Sequence, residues 1–328
     1  MELARFRRFV NLTIVATFVL IVIGGVVRVS DSGLGCGPAG SGTHGWPLCG
    51  GRVVPFIETN AVIEFSHRVV AGVVAILILI LAWRAITRLR EHRWLVRGTV
   101  LAGVLVLGQA ALGGLTVENN LHEVLVAAHL GLAMLLLGLL IALRRATLEG
   151  APAPAGAAGV VRPLAVTALV LLFATIVAGG YVAGTEEEGV AGAPAAAGAH
   201  LACGTEFPTC LGRFMPFGLS EMIDVQLTHR AFMYLAAIAV LALVAVARLR
   251  GIRSPAFPLA ALLLVCQILL GAINVWAGEH GELVVAHLTV GTLLWGTLVY
   301  ATTVLVPVPA PRRSPLSRPE TEASTSPA

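Results

Sequence analysis

The sequence contains little charge and no lysine. Only 12% of its 328 residues are charged, about half the share that is typical of a soluble domain. Hydrophobic residues make up 57% of the chain, and several apolar runs reach the roughly 20 residues that cross a bilayer. The sequence therefore predicts a polytopic membrane protein. The net charge of +4 does not indicate nucleic-acid binding, because the basic residues are all arginine and cluster in loops.

The apolar runs predict eight transmembrane helices, and the arginines predict their orientation. The predicted spans cover about 9–29, 62–83, 98–117, 122–143, 163–184, 226–247, 256–277 and 283–305. Arginine clusters precede the first span and follow the second, fourth, sixth and eighth. Because loops rich in arginine stay in the cytoplasm, both termini are expected on the inside of the cell membrane.

An internal duplication divides the chain into two four-helix halves. Residues 109–130, "QAALGGLTVENNLHEVLVAAHL", align without a gap on residues 267–288, "QILLGAINVWAGEHGELVVAHL". Each half starts on the cytoplasmic side, so the expected fold is all-α, with two parallel-repeat four-helix bundles. The predicted units are an N-terminal half at 1–149, a flexible cytoplasmic linker at 150–160, a C-terminal half at 161–306 and a disordered cytoplasmic tail at 307–328.

Four histidines fall inside predicted spans, on the second and fourth helices of each half. They are His67, His129, His229 and His287. Ionisable groups within spans are costly and face the bundle interior. Two imidazoles from two helices of one bundle suit six-coordinate haem iron. Hydrogen bonds between helices are the alternative, whereas zinc fits poorly because the chain has no HExxH motif.

Further polar residues accompany these histidines. Arg68 and Arg230 directly follow two of them and suit haem propionates, although snorkelling to lipid headgroups would also explain them. His122 and His280 lie two helical turns before the other two, on the same face. They are candidates for the haem edge, and solvated loop histidines are the alternative.

Two cysteine pairs occupy matching loops, after the first and the fifth span. Both loops are expected on the outer face, where disulfides persist, so Cys36–Cys49 and Cys203–Cys210 are predicted bonds. A redox role for either pair is the alternative. Neither pair forms a CxxCH motif, which excludes the usual signal for covalent haem attachment.

Several motifs together resemble the heme A synthase family. They are "GGVVRVSDSGLGC", "WPLCGG", "IEFSHR", "AAHLG" and "VAHLTVG", and the likeness covers about residues 9–305. The first cysteine pair is wider apart than in that family, with "GPAGSGTH" inserted before Trp46. The resemblance implies an eight-helix oxidoreductase that converts the C8 methyl of heme O into the formyl of heme A.

The same resemblance assigns different haems to the two halves. It implies that His67 and His129 are axial ligands of the substrate heme O, and that His229 and His287 hold a haem b cofactor through its iron. Implied partners are membrane lipid, heme O, a heme O synthase and an electron acceptor. The localisation that follows is the plasma membrane, with the disulfide loops on its outer face.

One position distinguishes the two halves and marks the catalytic candidate. Glu64 lies one turn before His67, whereas its counterpart is Gln226. A carboxylate can act as a base or stabilise a developing cation, whereas an amide takes up no proton. A favourable interaction with the helix dipole would also explain Glu64. The rival functions are a quinol-linked diheme b-type electron carrier with bis-histidine ligation and a haem-delivery protein without turnover.

Overall fold

The computed structural model describes residues 2–54, 57–157, 159–185 and 198–308. Within those ranges the chain forms eight long α-helices and no β-strand. In chain order they are α1 (Glu2–Val29), α2 (Thr59–Arg88), α3 (Arg93–Glu118), α4 (Glu123–Ala146), α5 (Val161–Gly184), α6 (Glu221–Leu249), α7 (Ala256–Trp276) and α8 (Gly281–Val304).

All eight helices are long and apolar enough to cross a membrane, which confirms the predicted all-α membrane fold. The helices are longer than the predicted spans at several ends. Helix α1 already begins at Glu2, and α6 begins at Glu221. Arginine and glutamate are good helix formers, so a helix continues through polar residues after the apolar run has ended. Hydropathy therefore locates the segment that crosses the membrane more closely than it locates the helix ends.

The helices pack as two rings of four. Helices α1 to α4 each pack against the next, and α4 closes the first ring on α1. Helices α5 to α8 form the second ring in the same order. The rings meet where α4 packs against both α5 and α8, and where α1 packs against α8. The repeat symmetry of these rings and their orientation in the membrane stay predictions.

The apolar core lies towards the end of the bundle that carries the chain termini. One cluster in the first ring includes Val10, Ile78 and Leu140, and a larger one in the second ring includes Leu243 and Leu298. The four histidines belong to neither cluster and are only partly buried. They lie towards the opposite end, here called the disulfide end, where the two cysteine loops are found. The two larger clusters of buried apolar residues thus lie away from the histidines.

The connection between the two rings packs against the bundle within its described part. Ala157 is almost fully buried in the larger core cluster, and the carbonyl of Ala151 accepts a hydrogen bond from the backbone of Val308. At the same end, the Nδ1 atom of His92 contacts a carboxylate oxygen of Glu149. The predicted tail lies outside the described residues from position 309 onward.

Candidate haem site

Each candidate ligand histidine occupies the same place on its helix. His67 and His229 are the ninth residues of α2 and α6, and His129 and His287 are the seventh residues of α4 and α8. Within each ring the two imidazoles lie close enough to interact electrostatically, His67 with His129 and His229 with His287. The structure thus brings together in pairs the histidines that the sequence placed about 60 residues apart.

Every one of these imidazoles packs edge-on against a glycine of the preceding helix. The four pairs are Gly24 with His67, Gly113 with His129, Gly179 with His229, and Gly271 with His287. A methyl group at each glycine would lie 3.2, 3.1, 2.9 and 2.9 Å, respectively, from the ring Cε1 atom. At 2.9 Å an alanine must displace the ring, and at 3.1 or 3.2 Å the ring must give way by a few tenths of an ångström. The missing side chain thus leaves room for each imidazole. Sequence analysis did not identify these glycines, although Gly113 and Gly271 coincide in the duplicated segment.

Hydrogen bonds reach the imidazoles of the second ring, and they leave the Nε2 atom of His229 free to bind iron. The Nδ1 atom of His229 lies 3.0 Å from the carbonyl oxygen of Thr175 and must donate to it, which leaves the lone pair on Nε2. The Nε2 atom of His287 accepts from the side-chain amide of Gln267 at 3.0 Å. That lone pair is engaged by the amide, so His287 would ligate iron through Nε2 only after the Gln267 side chain had turned away. In the other ring, Gln109 donates to the backbone carbonyl of His129 at 2.8 Å.

These observations fit a haem between the two histidines of each ring. Haem iron takes two neutral imidazole nitrogens, and a carbonyl that accepts from Nδ1 is the common way to orient such a ligand. The Nδ1 atoms of His67 and His129 are buried without a hydrogen-bond partner among the described residues. The same described ranges contain no group of three or more His, Cys, Asp or Glu that could hold a metal by itself. Paired imidazoles are therefore the donor set that this part of the chain offers.

The first disulfide loop is tied to α2 by Glu64 and Arg68. Glu64 is buried, and its Oε2 atom accepts a hydrogen bond of 2.7 Å from the backbone N–H of Cys36. Its other oxygen pairs with the guanidinium of Arg68. Arg68 also donates to the loop carbonyls of Gly45 and Leu48, at 2.7 and 2.9 Å. A network of charge-assisted hydrogen bonds thus holds the carboxylate in place.

The second loop is tied to α6 in a related way. Arg230 is buried and donates from its two terminal nitrogens to the carbonyls of Glu206 and Thr209, both at 2.9 Å. Its guanidinium also lies 5.5 Å from the ring centre of Phe207. Both arginines for which propionate contact was predicted therefore bind the loop backbone. Neither the propionate hypothesis nor the snorkelling hypothesis included this role. Propionate contact by their remaining N–H groups stays a prediction.

Gln226, at the position equivalent to Glu64, donates a hydrogen bond to its loop, whereas Glu64 accepts one. Gln226 is buried and donates from Nε2 to the backbone carbonyl of His200 at 3.3 Å. His200 in turn lies with its Nε2 atom 3.0 Å from a carboxylate oxygen of Glu279, in the loop before α8. Sequence analysis did not single out His200 or Glu279, because only the tertiary fold brings their two loops together.

The two candidate haem-edge histidines lie at helix starts. His122 and His280 directly precede α4 and α8, and both are exposed. The ring of His122 accepts a hydrogen bond from the backbone of Val124 at 3.4 Å. Exposure agrees with solvated loop histidines, and contact with a haem edge stays a prediction for both.

The cysteines pair within their own loops, as predicted. Cys36 and Cys49 are disulfide-bonded, as are Cys203 and Cys210. In each loop the second cysteine exchanges backbone hydrogen bonds with the residue three positions later, Arg52 or Arg213. The inserted segment of the longer loop includes a short 3₁₀ turn at Gly42–His44.

Known proteins provide an independent comparison for this arrangement. A family model described as COX15-CtaA, cytochrome oxidase assembly protein, matches residues 7–299. A heme A synthase of Halalkalibacterium halodurans is 31% identical over 90% of this chain and 96% of its own length. One from Geobacillus thermodenitrificans is 30% identical over 89% of both chains. One from Shouchella clausii is 30% identical over 69% of this chain and 70% of its own. Because the match runs through all eight helices and both histidine pairs, the chain belongs to the COX15-CtaA family of cytochrome oxidase assembly proteins.

Proposed function

We propose that this protein is a heme A synthase, which oxidises the C8 methyl of heme O to the formyl group of heme A. The main observation in support of this proposal is the pair of histidine sites, each with two imidazoles packed against glycines of neighbouring helices. Membership of the family and the relatives that carry this name support the same activity. The finer assignments below rest on the chemistry of the residues at each site.

The first ring is the substrate site in this proposal. His67 of α2 and His129 of α4 would bind heme O through its iron. Glu64 belongs to α2 and lies one turn before His67, on the same face. That face therefore carries a carboxylate that the Cys36 backbone and Arg68 hold in position.

The second ring holds the cofactor. His229 and His287 would ligate a haem b, which supplies one-electron transfer when bound. Thr175 keeps the proton of His229 on Nδ1, and so presents Nε2 to the metal. Gln226 contributes no acid–base group near this haem, because an amide neither gains nor loses a proton at ordinary pH. The ring therefore suits electron transfer without proton chemistry on a substrate.

Glu64 performs the proton chemistry of the reaction in this proposal. Oxidation of a methyl group removes protons together with electrons, so a base near the reacting carbon lowers the barrier. Alternatively, the fixed negative charge stabilises positive charge that develops on that carbon. Both roles need a carboxylate that does not reorient, and the two donors that hold Glu64 meet that need.

The surroundings of the protein follow from the same proposal. The arginine pattern supports a plasma-membrane location with both termini inside and the disulfide loops on the outer face. A heme O synthase would supply the substrate, and an electron acceptor would reoxidise the haem b. Lipid surrounds the apolar helices, whose outward-facing residues include exposed Val15, Ile76 and Ile238.

Pigment analysis of the purified protein tests the activity directly. Haem extracted from the full-length protein and identified by mass should include heme O, a hydroxylated form of it or heme A. Membranes that contain the protein should convert added heme O into heme A. Haem b alone, without conversion of heme O, would instead support the diheme electron carrier.

A further inference from the structure

Two adjacent pairs of glycines lie at comparable places on α1 and α5, near the disulfide end. They are Gly24–Gly25 on α1 and Gly179–Gly180 on α5. Within each pair, the first glycine contacts a ligand histidine of its own ring. The second contacts the other ring, because α1 packs against α8 and α5 packs against α4.

The pair on α1 touches ligand-bearing helices of both rings. A methyl group at Gly24 would lie 3.2 Å from Cε1 of His67. A methyl group at Gly25 would lie 2.6 Å from Cδ2 of Leu288, which directly follows the ligand His287. Helix α1 therefore contacts a ligand of the first ring and the neighbour of a ligand of the second.

The pair on α5 makes the reciprocal contacts. A methyl group at Gly179 would lie 2.9 Å from Cε1 of His229, in its own ring. A methyl group at Gly180 would lie 3.1 Å from Cδ2 of Leu130 and 3.3 Å from the Cα atom of Ala127. Leu130 directly follows the ligand His129 of the first ring. Two independent contacts thus cross the boundary between the rings, each one residue away from a ligand.

Close packing extends along this boundary. A methyl group at Gly184 would lie 2.6 Å from the Cα atom of Glu123, so α5 and α4 touch backbone to backbone. Arg28 of α1 donates from Nε and Nη2 to the carbonyl of Ala183 on α5, at 3.0 and 2.7 Å. Small residues that let helices approach are the usual means of helix association in membranes. The boundary is therefore tight enough to transmit a displacement.

We propose that Gly24–Gly25 and Gly179–Gly180 are positioning residues that couple the two haem sites. Each pair sets one ligand histidine in its own ring and the ligand-bearing helix of the other ring. This inference rests on the proposed function, because it takes both histidine pairs to hold haem. Its distinctive consequence is a crossed pattern: the second glycine of each pair controls the haem of the opposite ring.

Four alanine variants of the full-length protein, purified with its haems, test this pattern. Gly24→Ala should weaken heme O binding, and Gly179→Ala should weaken haem b binding. Gly25→Ala should alter haem b instead, although it lies in the first ring, and Gly180→Ala should alter heme O binding. We expect the affected haem to dissociate about tenfold more readily, as is typical when a group that orients a metal ligand is disturbed. The electron paramagnetic resonance signal and the midpoint potential of haem b should shift in Gly25→Ala and Gly179→Ala.

A control and a rescue separate positioning from general destabilisation. Gly72→Ala on α2 is the control, because a methyl group there meets nothing within 4 Å, and it should leave both haems unchanged. Leu288→Ala removes the atom that a methyl group at Gly25 would strike. The double variant Gly25→Ala with Leu288→Ala should therefore recover the haem b signal towards that of Leu288→Ala alone.

Unchanged haem b in Gly25→Ala, together with unchanged heme O binding in Gly180→Ala, would overturn the inference. A Gly25→Ala defect that Leu288→Ala does not relieve would also overturn it. If Gly25→Ala does not accumulate, Gly180→Ala tests the same crossed pattern from the other ring. Crossed effects in a protein that does not convert heme O would refute the proposed activity and leave the coupling intact. Conversion of heme O without crossed effects would support the proposed activity and refute the coupling.

Discussion

The disulfide ends of the two rings share one plan for holding a cysteine loop on a helix, and they differ in the residue one turn before the first ligand histidine. In both rings the arginine after the first ligand histidine donates to two carbonyls of the nearby cysteine loop. One of those carbonyls belongs to Leu48 or Thr209, the residue just before the second cysteine. Four residues before the arginine, however, stands Glu64 in the first ring and Gln226 in the second.

The hydrogen bonds at that position run in opposite directions. Glu64 accepts from the loop backbone at Cys36, whereas Gln226 donates to the loop backbone at His200. The arginine contacts, which both rings have, serve to hold the loop on the helix. The carboxylate is specific to one ring, and so it is the feature that chemistry on a substrate would require.

The largest expected effect comes from removing a ligand in one ring only. His229→Ala should abolish the bis-imidazole haem b signal and leave heme O binding in the first ring, whereas His67→Ala should do the opposite. Loss of one of two axial nitrogens removes the low-spin ligation itself. Optical and electron paramagnetic resonance spectra, with extraction of the haems, measure both. His92→Ala at the opposite end serves as the control, and full haem b spectra in both His229→Ala and His287→Ala would refute the assignment.

Exchanging the distinguishing residue should affect turnover more than binding. Glu64→Gln gives the first ring the residue of the second, with almost no change in volume. Heme A formation should fall by a factor on the order of 10², as loss of a positioned acid–base group usually causes, while both haems stay bound. Chromatography of heme O, hydroxylated haem and heme A from membranes measures this.

The reciprocal change, Gln226→Glu, is the matched control for Glu64→Gln. It places a carboxylate in the second ring and should confer no oxidation of haem b. Heme A close to the normal amount in Glu64→Gln would show that the difference between the rings is incidental to turnover.

Replacing the loop-binding arginines should reduce stability in both rings. Arg68→Lys and Arg230→Lys keep the charge but cannot reproduce these contacts, because each guanidinium uses both terminal nitrogens and a lysine has one. In Arg68 one nitrogen binds both loop carbonyls and the other binds Glu64, whereas in Arg230 each nitrogen binds one carbonyl. Each should lower the free energy of unfolding by about 1–3 kcal/mol, the usual effect of unmaking a buried charged hydrogen bond. We expect the larger loss for Arg68→Lys, since a lysine cannot bind the buried Glu64 and both loop carbonyls together. Thermal unfolding of the purified protein measures the difference, with exposed Arg5→Lys as the control; equal stability of all three would refute it.

The smallest expected difference lies between the two disulfides. Cys36–Cys49 closes a separation of 13 residues and Cys203–Cys210 one of 7. Loop-closure entropy rises slowly with length, so Cys49→Ser should cost about 0.5 kcal/mol more than Cys210→Ser. Thermal unfolding of the two serine variants provides the measurement. The stability of each variant is compared with that of the parent protein in its oxidised and reduced forms. A greater loss in Cys210→Ser would show that the contacts of the second loop outweigh its shorter length.

Much of the fold and part of the site could be predicted because their signals are local. A run of apolar residues identifies a span wherever its neighbours lie, and eight such runs yielded eight helices. The histidine pairs could be found because the duplication repeats them along the chain. The roles of Arg68 and Arg230 could not, since a guanidinium can bind a propionate, a lipid headgroup or a backbone carbonyl. Only the position of the folded loops shows which of these acceptors is within reach.

The sequence by itself determined the number of helices, the helices that carry histidine and the cysteines that pair. These features depend on hydropathy, on residue type and on short separations along the chain. The tertiary structure alone decided that glycines face all four imidazoles and that Gly25 and Gly180 contact the opposite ring. It also decided that Glu64 and Gln226 bond to the loops in opposite senses. The physical reason is that such contacts join residues far apart in the chain, and only the packing of helices determines which of them meet.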